Sequence, residues 1–300
     1  MAQEEFSFLE DYAAMIGEAP LWSPRDRALY WIDNIQKKIL RTRAPFTSSE
    51  MHSLFYRPSC LNLLADGGLL VGYRKGIGLY DFDTEQAVPL PLPDIKFDGV
   101  NFNDGAVDPA GRLWIGSKDR DALKPLGSLY RMGPDAQPKP VIDGIVLSNG
   151  MGWSPDGCSF YYADSRPGRI DAFDFDVKQG TLSNRRTFVD YAGKGRRPDG
   201  LTVDAEGFVW VAEIDGWRIA RYAPDGRLDR EVMLPIQRPT SLAFGGEDMS
   251  TLFVTSMRFH LNDETRAKEP KAGMLLHFRP GVKGQVETSF RGLSVKQPAA

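Results

Sequence analysis

Glu18, Asn149 and Asp199 carry oxygen-bearing side chains at the start of three short apolar segments, Glu18-Ala-Pro-Leu-Trp22, Asn149-Gly-Met-Gly-Trp153 and Asp199-Gly-Leu-Thr-Val203. Asn103 opens a fourth, Asn103-Asp-Gly-Ala-Val107, and Cys60 and Thr240 hold the same place in two weaker copies. Brought together round an axis, two carboxylates and an amide oxygen form a hard donor set. Such a set suits calcium, magnesium or manganese and tolerates zinc. Two negative charges roughly neutralise one divalent ion, which matters in a channel poor in water. An ion so held polarises a carbonyl and acidifies water. Each Asn-Gly or Asp-Gly pair is also a turn signal in its own right. Turns alone do not predict one register on several segments, nor a Glu18 that lacks a following glycine.

The elements that must position these residues repeat along the chain. The cleanest unit runs from Asp199 to Glu213 and continues through Trp217-Arg-Ile-Ala-Arg-Tyr222 to Asp225-Gly226. It reads as strand, turn, apolar strand, loop, alternating strand, turn. Asn103 to Gly116 and Asn149 to Ala163 follow it, and weaker copies start at Glu18, Cys60 and Thr240. Third strands are expected at Ile39-Leu40, Gly78–Tyr80, Ser128–Tyr130, Ile170–Phe173, Ile219–Tyr222 and Met274–Leu276. The period of about 40 to 50 residues is that of four-stranded propeller blades. One small sheet cannot bury both faces, so blades stack radially and cover one another. The expectation is an all-β fold, a six-bladed β-propeller with a central channel, as one domain over residues 1–300. Only Glu264 to Lys268 hints at a helical turn.

Composition removes whole classes of function. A hydrophobic share of 42% supports a sizeable core, and the formal net charge of −3 offers no basic footprint for nucleic acid or anionic lipid. No apolar run is long enough to span a bilayer, and the acidic start, Met1 to Glu10, does not read as a signal peptide. The expected location is cytoplasmic, as a monomer or dimer, with no nucleic-acid or membrane partner. Cys60 and Cys158 are expected to be reduced thiols, too few for a structural zinc site. His52, His260 and His277 show no metal-binding spacing, and no Gly-x-Ser-x-Gly occurs.

The segments Gly17-Glu-Ala-Pro-Leu-Trp22, Asn103 to Trp114, Ser148-Asn-Gly-Met-Gly-Trp-Ser-Pro-Asp-Gly157 and Pro198-Asp-Gly-Leu201, in that order, resemble the SMP-30/gluconolactonase/luciferin-regenerating-enzyme family. The likeness extends to Gly245-Gly246 and Lys271-Ala-Gly273. The resemblance implies six blades and one divalent cation held by Glu18, Asn149 and Asp199, with Asn103 touching metal water or substrate. It also implies hydrolysis of a small-molecule substrate, a sugar (aldono)lactone, to the open-chain acid. Asp199 is then the candidate general base. Members that act on sugar lactones often carry an arginine two residues before the Asn-Asp-Gly, where this chain has Asn101. Lys118 or Arg120 is a candidate substitute, the alternative being solvated loop charges. Arg258 is a further candidate for binding substrate hydroxyls or a carboxylate, or else a loop-anchoring cation. Two other readings stay open at this stage: a related metal-dependent esterase, phosphotriesterase or aromatic lactonase, and a non-enzymatic binding propeller.

Overall fold

Turn chemistry sets the blade hairpins. Asp108 Oδ1 accepts from the N–H groups of Ala110 and Arg112, and its Oδ2 accepts from Trp114 Nε1 at 2.9 Å. Asp204 repeats this with Glu206, Phe208 and Trp210 Nε1. One carboxylate therefore closes the turn and fixes the tryptophan of the next strand. Asp66-Gly67, Ala110-Gly111, Asp156-Gly157, Glu206-Gly207 and Asp225-Gly226 are turn pairs in the sequence, and all five glycines adopt positive φ.

The structure is a computed structural model that describes residues 4–92 and 94–295. Of the expected span 1–300, residues 1–3, 93 and 296–300 lie outside the described residues. Within them are six four-stranded antiparallel sheets, the blades of a β-propeller. Their inner strands are Gly17–Ser23, Pro58–Leu63, Val100–Val107, Ser148–Trp153, Arg197–Val203 and Pro239–Gly245. The expected third strands are present; that of blade six runs from Leu275 to Phe278. Its fourth strand was not anticipated: Ser7–Leu9 pairs with Leu275–His277, so the N-terminal segment completes the last blade. The helical turn spans Asp263–Lys268, capped by Asn262. No described helix is long and apolar enough to cross a membrane.

Apolar cores lie between successive blades. Leu21, Tyr30 and Ile32 of blade one pack with Leu61, Leu63 and Val71 of blade two. Blades five and six meet through Trp210, Ile219, Leu242 and Val254. Near the axis, inner strands approach closely enough to exclude side chains. A Cβ on Gly150 would collide with Leu201 N and lie 2.7 Å from Asp199 O, and one on Gly200 would lie 2.7 Å from Ser241 Cα. These glycines belong to inner strands and serve close backbone approach, so the turn reading of Asn149-Gly150 and Asp199-Gly200 is wrong.

Candidate functional site: a ring of bulged residues beneath a basic mouth

Every inner strand carries a bulge where it passes the axis, and bulges re-aim side chains. In blade five, Pro198 pairs with Glu213 and Leu201 with Val211, which leaves Asp199 and Gly200 opposite a single residue. Asn103 and Asn149 occupy the same place in blades three and four, and Thr240 in blade six. Two residues differ from the sequence alignment. Ser59, not Cys60, holds the ring position in blade two. In blade one Glu18 is still paired, with Ile32, and the ring position falls to Ala19, at φ 48°. Glu18 therefore enters the ring from one residue earlier, its extra methylene covering the difference.

Hydrogen bonds fix the amides. Asn103 Nδ2 donates to Ser148 O and to Asn149 Oδ1, both at 2.7 Å. Asn149 Nδ2 donates to Ser165 Oγ at 2.6 Å, which donates to Pro198 O. This chain settles the orientation of the buried Asn149 and leaves its Oδ1 one free lone pair. Asn103 has spent both N–H groups on it and can offer a ligand only its oxygen.

The carboxylates lack comparable partners. Burial, then Asp199 and Asp104, push Glu18 well above the usual carboxylate range. Asp199 is raised in the same direction by burial and Asp104, with Arg197 and Lys118 opposing. Burial lifts Asp104 to about 6. The Asp104-Gly105 pair reads from sequence as a turn, but it lies in the inner strand Val100–Val107. Three carboxylates, Asp199 buried and Glu18 and Asp104 partly so, repel one another and create a demand for positive charge. Among the described residues no three His, Cys, Asp or Glu side chains form a metal-binding group. The set that fits a hard divalent cation is two carboxylates, Glu18 and Asp199, with the oriented oxygen of Asn149.

The channel has two unlike ends. At the hairpin end, Gln285 Nε2 donates to Trp153 O and Val203 O, and Phe290 pairs with Leu64, so the 284–290 segment crosses below the ring. It helps enclose a cavity of about 290 Å³. At the other end, residues that precede the inner strands or follow the second strands form the mouth. Lys118 lies on the strand Leu113–Asp119, half-buried, and not on a loop. Its ammonium is held below the ordinary lysine range by burial and by Arg74, with Asp199 opposing. Asn101 is 2% exposed. With its amide oxygen turned to the guanidinium, it accepts from Arg74 Nη2 at 2.9 Å. Arg120 is exposed, and with Arg57, Arg74 and Asn101 it lines a cavity of about 1000 Å³. Arg258 follows the second strand of blade six, across the mouth from this cavity: its N–H bonds Met15 O, its Nε is buried without a partner, and its charge acts on Tyr12.

Arg57 and Arg74 escaped the sequence analysis. The ladders supply the signal that was missed, since Arg57 precedes its bulge as Asn101 does and Arg74 follows its strand where Lys118 sits.

Comparison with known proteins shows what the chain is similar to. Residues 16–258 match the model of the SMP-30/gluconolactonase/LRE-like region. The chain is 33% identical over 280 residues to a 6-deoxy-6-sulfogluconolactonase of Pseudomonas putida, covering 93% of this chain and 96% of that protein. It is 34% identical over 284 residues to regucalcin of Oryctolagus cuniculus, covering 92% and 95%. A crystal structure of a calcium-binding protein, regucalcin, from Agrobacterium tumefaciens superposes with a TM-score of 0.89 at 27% identity, covering 97% of this chain and all of that one.

Proposed function

Because the chain belongs to the SMP-30/gluconolactonase/LRE-like family, we propose that it is a lactonase of sugar metabolism that depends on one divalent cation and opens an aldonolactone to its acid. The observation that carries this reading is the ring of bulged residues, with two mutually repelling carboxylates beside an amide oxygen oriented by Asn103 and Ser165. The printed activity of the bacterial relative, a sulfogluconolactonase, supports the reaction class.

Glu18, Asn149 and Asp199 hold the cation, which when bound supplies Lewis-acid polarisation of the ester carbonyl. Asn103 Oδ1 accepts a sugar hydroxyl and fixes the ring over Asp199. Asp199 takes a proton from the attacking water as oxygen bonds to the carbonyl carbon. The tetrahedral adduct collapses with cleavage of the ring C–O bond, and the proton passes from Asp199 to the departing alkoxide. One water is consumed and a hydroxy acid is released. The covered far end means that lactone and water enter through the mouth.

The test is base uptake at constant pH over a panel of aldonolactones. Chelated enzyme is reloaded with calcium, zinc, manganese or magnesium, with Asp199→Ala as control. Cation-dependent turnover, falling at least about a thousandfold in the variant, is the expected result. Folded, cation-loaded enzyme that opens none of the lactones overturns the reading.

A further inference from the structure

Most arginines in this molecule face a carboxylate. Arg41 meets Glu50 and Asp83, Arg221 meets Asp204, Glu206 and Asp229, and Arg197 and Arg238 share Asp215. The mouth above blades two and three departs from this pattern. Arg57, Arg74, Lys118 and Arg120 have no ion-pair partner among the described residues. They are nonetheless close enough that burial, then Arg57 and Arg120, hold the Arg74 guanidinium below its ordinary range, and Arg74, Arg166 and Arg57 act on Lys118.

Clustered cations without counter-charges carry a repulsive cost that an anionic ligand removes. The geometry around them is built. Asn101 fixes the Arg74 guanidinium from below. Tyr56, Tyr73 and Ile77 supply apolar walls to the same cavity, and the carboxylate that lines it, Glu85, is exposed and lies 4.0 Å from His52 Nε2. Lys118 links this cavity to the ring, since it acts on Asp199 on one side and is cross-strand partner to Asn101 on the other. A lactone with its carbonyl at the ring and its far end beyond Lys118 would meet the arginines.

We propose that the lactone turned over here bears an anionic oxo group at the end remote from the ester, a sulfonate, phosphate or carboxylate, received by Arg57, Arg74, Lys118 and Arg120. This rests on the lactonase reading and specifies its substrate class. A guanidinium fork matches the oxygens of such groups, and partial burial strengthens each bond. On the blade-five and blade-six side Arg197 and Arg238 are already held by Asp215, whereas among the described residues the four cations of this mouth have no carboxylate to hold them.

The test compares one sugar lactone, unsubstituted at its terminal carbon, with its terminal sulfonate, phosphate and carboxylate. At low ionic strength at least one anionic form is expected to exceed the neutral one about a hundredfold in kcat/KM, mostly through KM, and to lose that lead as salt screens the mouth. Arg74→Gln, and separately the exposed Arg120→Gln, lower the anionic-to-neutral ratio about tenfold. The anionic form that leads identifies the group. A neutral lactone that matches all three, or a ratio unmoved in both folded variants, overturns the proposal. If no lactone of any charge is opened, the hydrolase reading has failed, and titration calorimetry with inorganic sulfate and phosphate decides the anion site. Binding that Arg74→Gln abolishes retains it, and binding that is absent or insensitive to the substitution removes it.

Discussion

Two groups of arginines flank the same channel mouth and live under opposite rules. On the blade-five side, the fully buried Glu213 gathers Arg196 and Arg218 on Oε2 at 2.6 and 2.5 Å, and Tyr191 and Tyr222 on Oε1 at 3.0 and 2.7 Å. Arg218 reaches on to Glu231. Both carboxylate oxygens of Glu213 are taken up within the fold. On the blade-two and blade-three side, Arg57, Arg74, Lys118 and Arg120 share one amide oxygen between them. The first arrangement is stability held in a network, since removal of one partner strands the others. The second is charge left uncompensated by the fold, which is what a binding surface for an anion requires.

The sharpest way to break this comparison is to remove charge from each side in turn. Glu213→Gln leaves Arg196 without a carboxylate and Arg218 with Glu231 alone, beside a buried site, and is expected to cost about 3 to 5 kcal/mol. Arg74→Gln removes a repelled, partly desolvated cation and is expected to change stability by less than about 1 kcal/mol, in either direction. Denaturant melts of both variants check this. A loss below about 1 kcal/mol for Glu213→Gln would make the two groups energetically alike and end the distinction.

How far the sequence reached follows the same division between what repeats and what does not. The inner and third strands, the hairpin glycines and the turn at Asp263–Lys268 were legible because local chemistry dictates them: Asp-closed turns, alternating apolar strands and glycine at positive φ. Asn103, Asn149 and Asp199 were legible because one register runs through all three. The misplacement of Cys60 and Glu18 by one residue shows the limit of register, because a bulge changes which residue faces the axis without changing the motif. Ser7–Leu9 was not legible, since only closure of the ring supplies its partner strand. Arg57, Arg74 and the burial of Lys118 were missed for another reason. A charged residue just outside a motif reads as solvated, and only the approach of two neighbouring blades removes it from water.

A second contrast lies in pH. Against burial, which raises it, the bonds from Arg218 and Tyr222 leave Glu213 below the ordinary carboxylate value of 4.5. A carboxyl depressed in the fold contributes stability above its unfolded pKa and loses it as pH falls through the folded value. The stability gap between wild type and Glu213→Gln is therefore expected to be constant from about pH 6 to 8 and to narrow below about 4.5. Melts at pH 7 and at pH 4 measure it. Arg74→Gln has no titrating partner to lose, so its smaller gap is expected to stay level across the same window; narrowing in both would mean that the network is not the source.

The smallest effect is the most specific to the mouth. Asp215 lies between Arg197 and Arg238, at 3.2 and 2.9 Å, and all three are partly exposed. Partly exposed pairs contribute little, so Asp215→Asn is expected to lower stability by under about 1 kcal/mol. It also makes the blade-five and blade-six side resemble its opposite, with two arginines freed from their shared carboxylate. Arg197 already acts on Asp199, so its charge reaches the ring. If free cations at this mouth recruit an anionic lactone, the variant's KM for that substrate falls about two- to threefold at low ionic strength, and the gain disappears at high salt. KM for the neutral lactone gives the reference slope. A KM for the anionic lactone that is unchanged, or that rises, would mean that recruitment depends on the fixed forks at Arg57, Arg74 and Arg120 and not on the summed field. The asymmetry of the mouth would then be a matter of geometry rather than of charge.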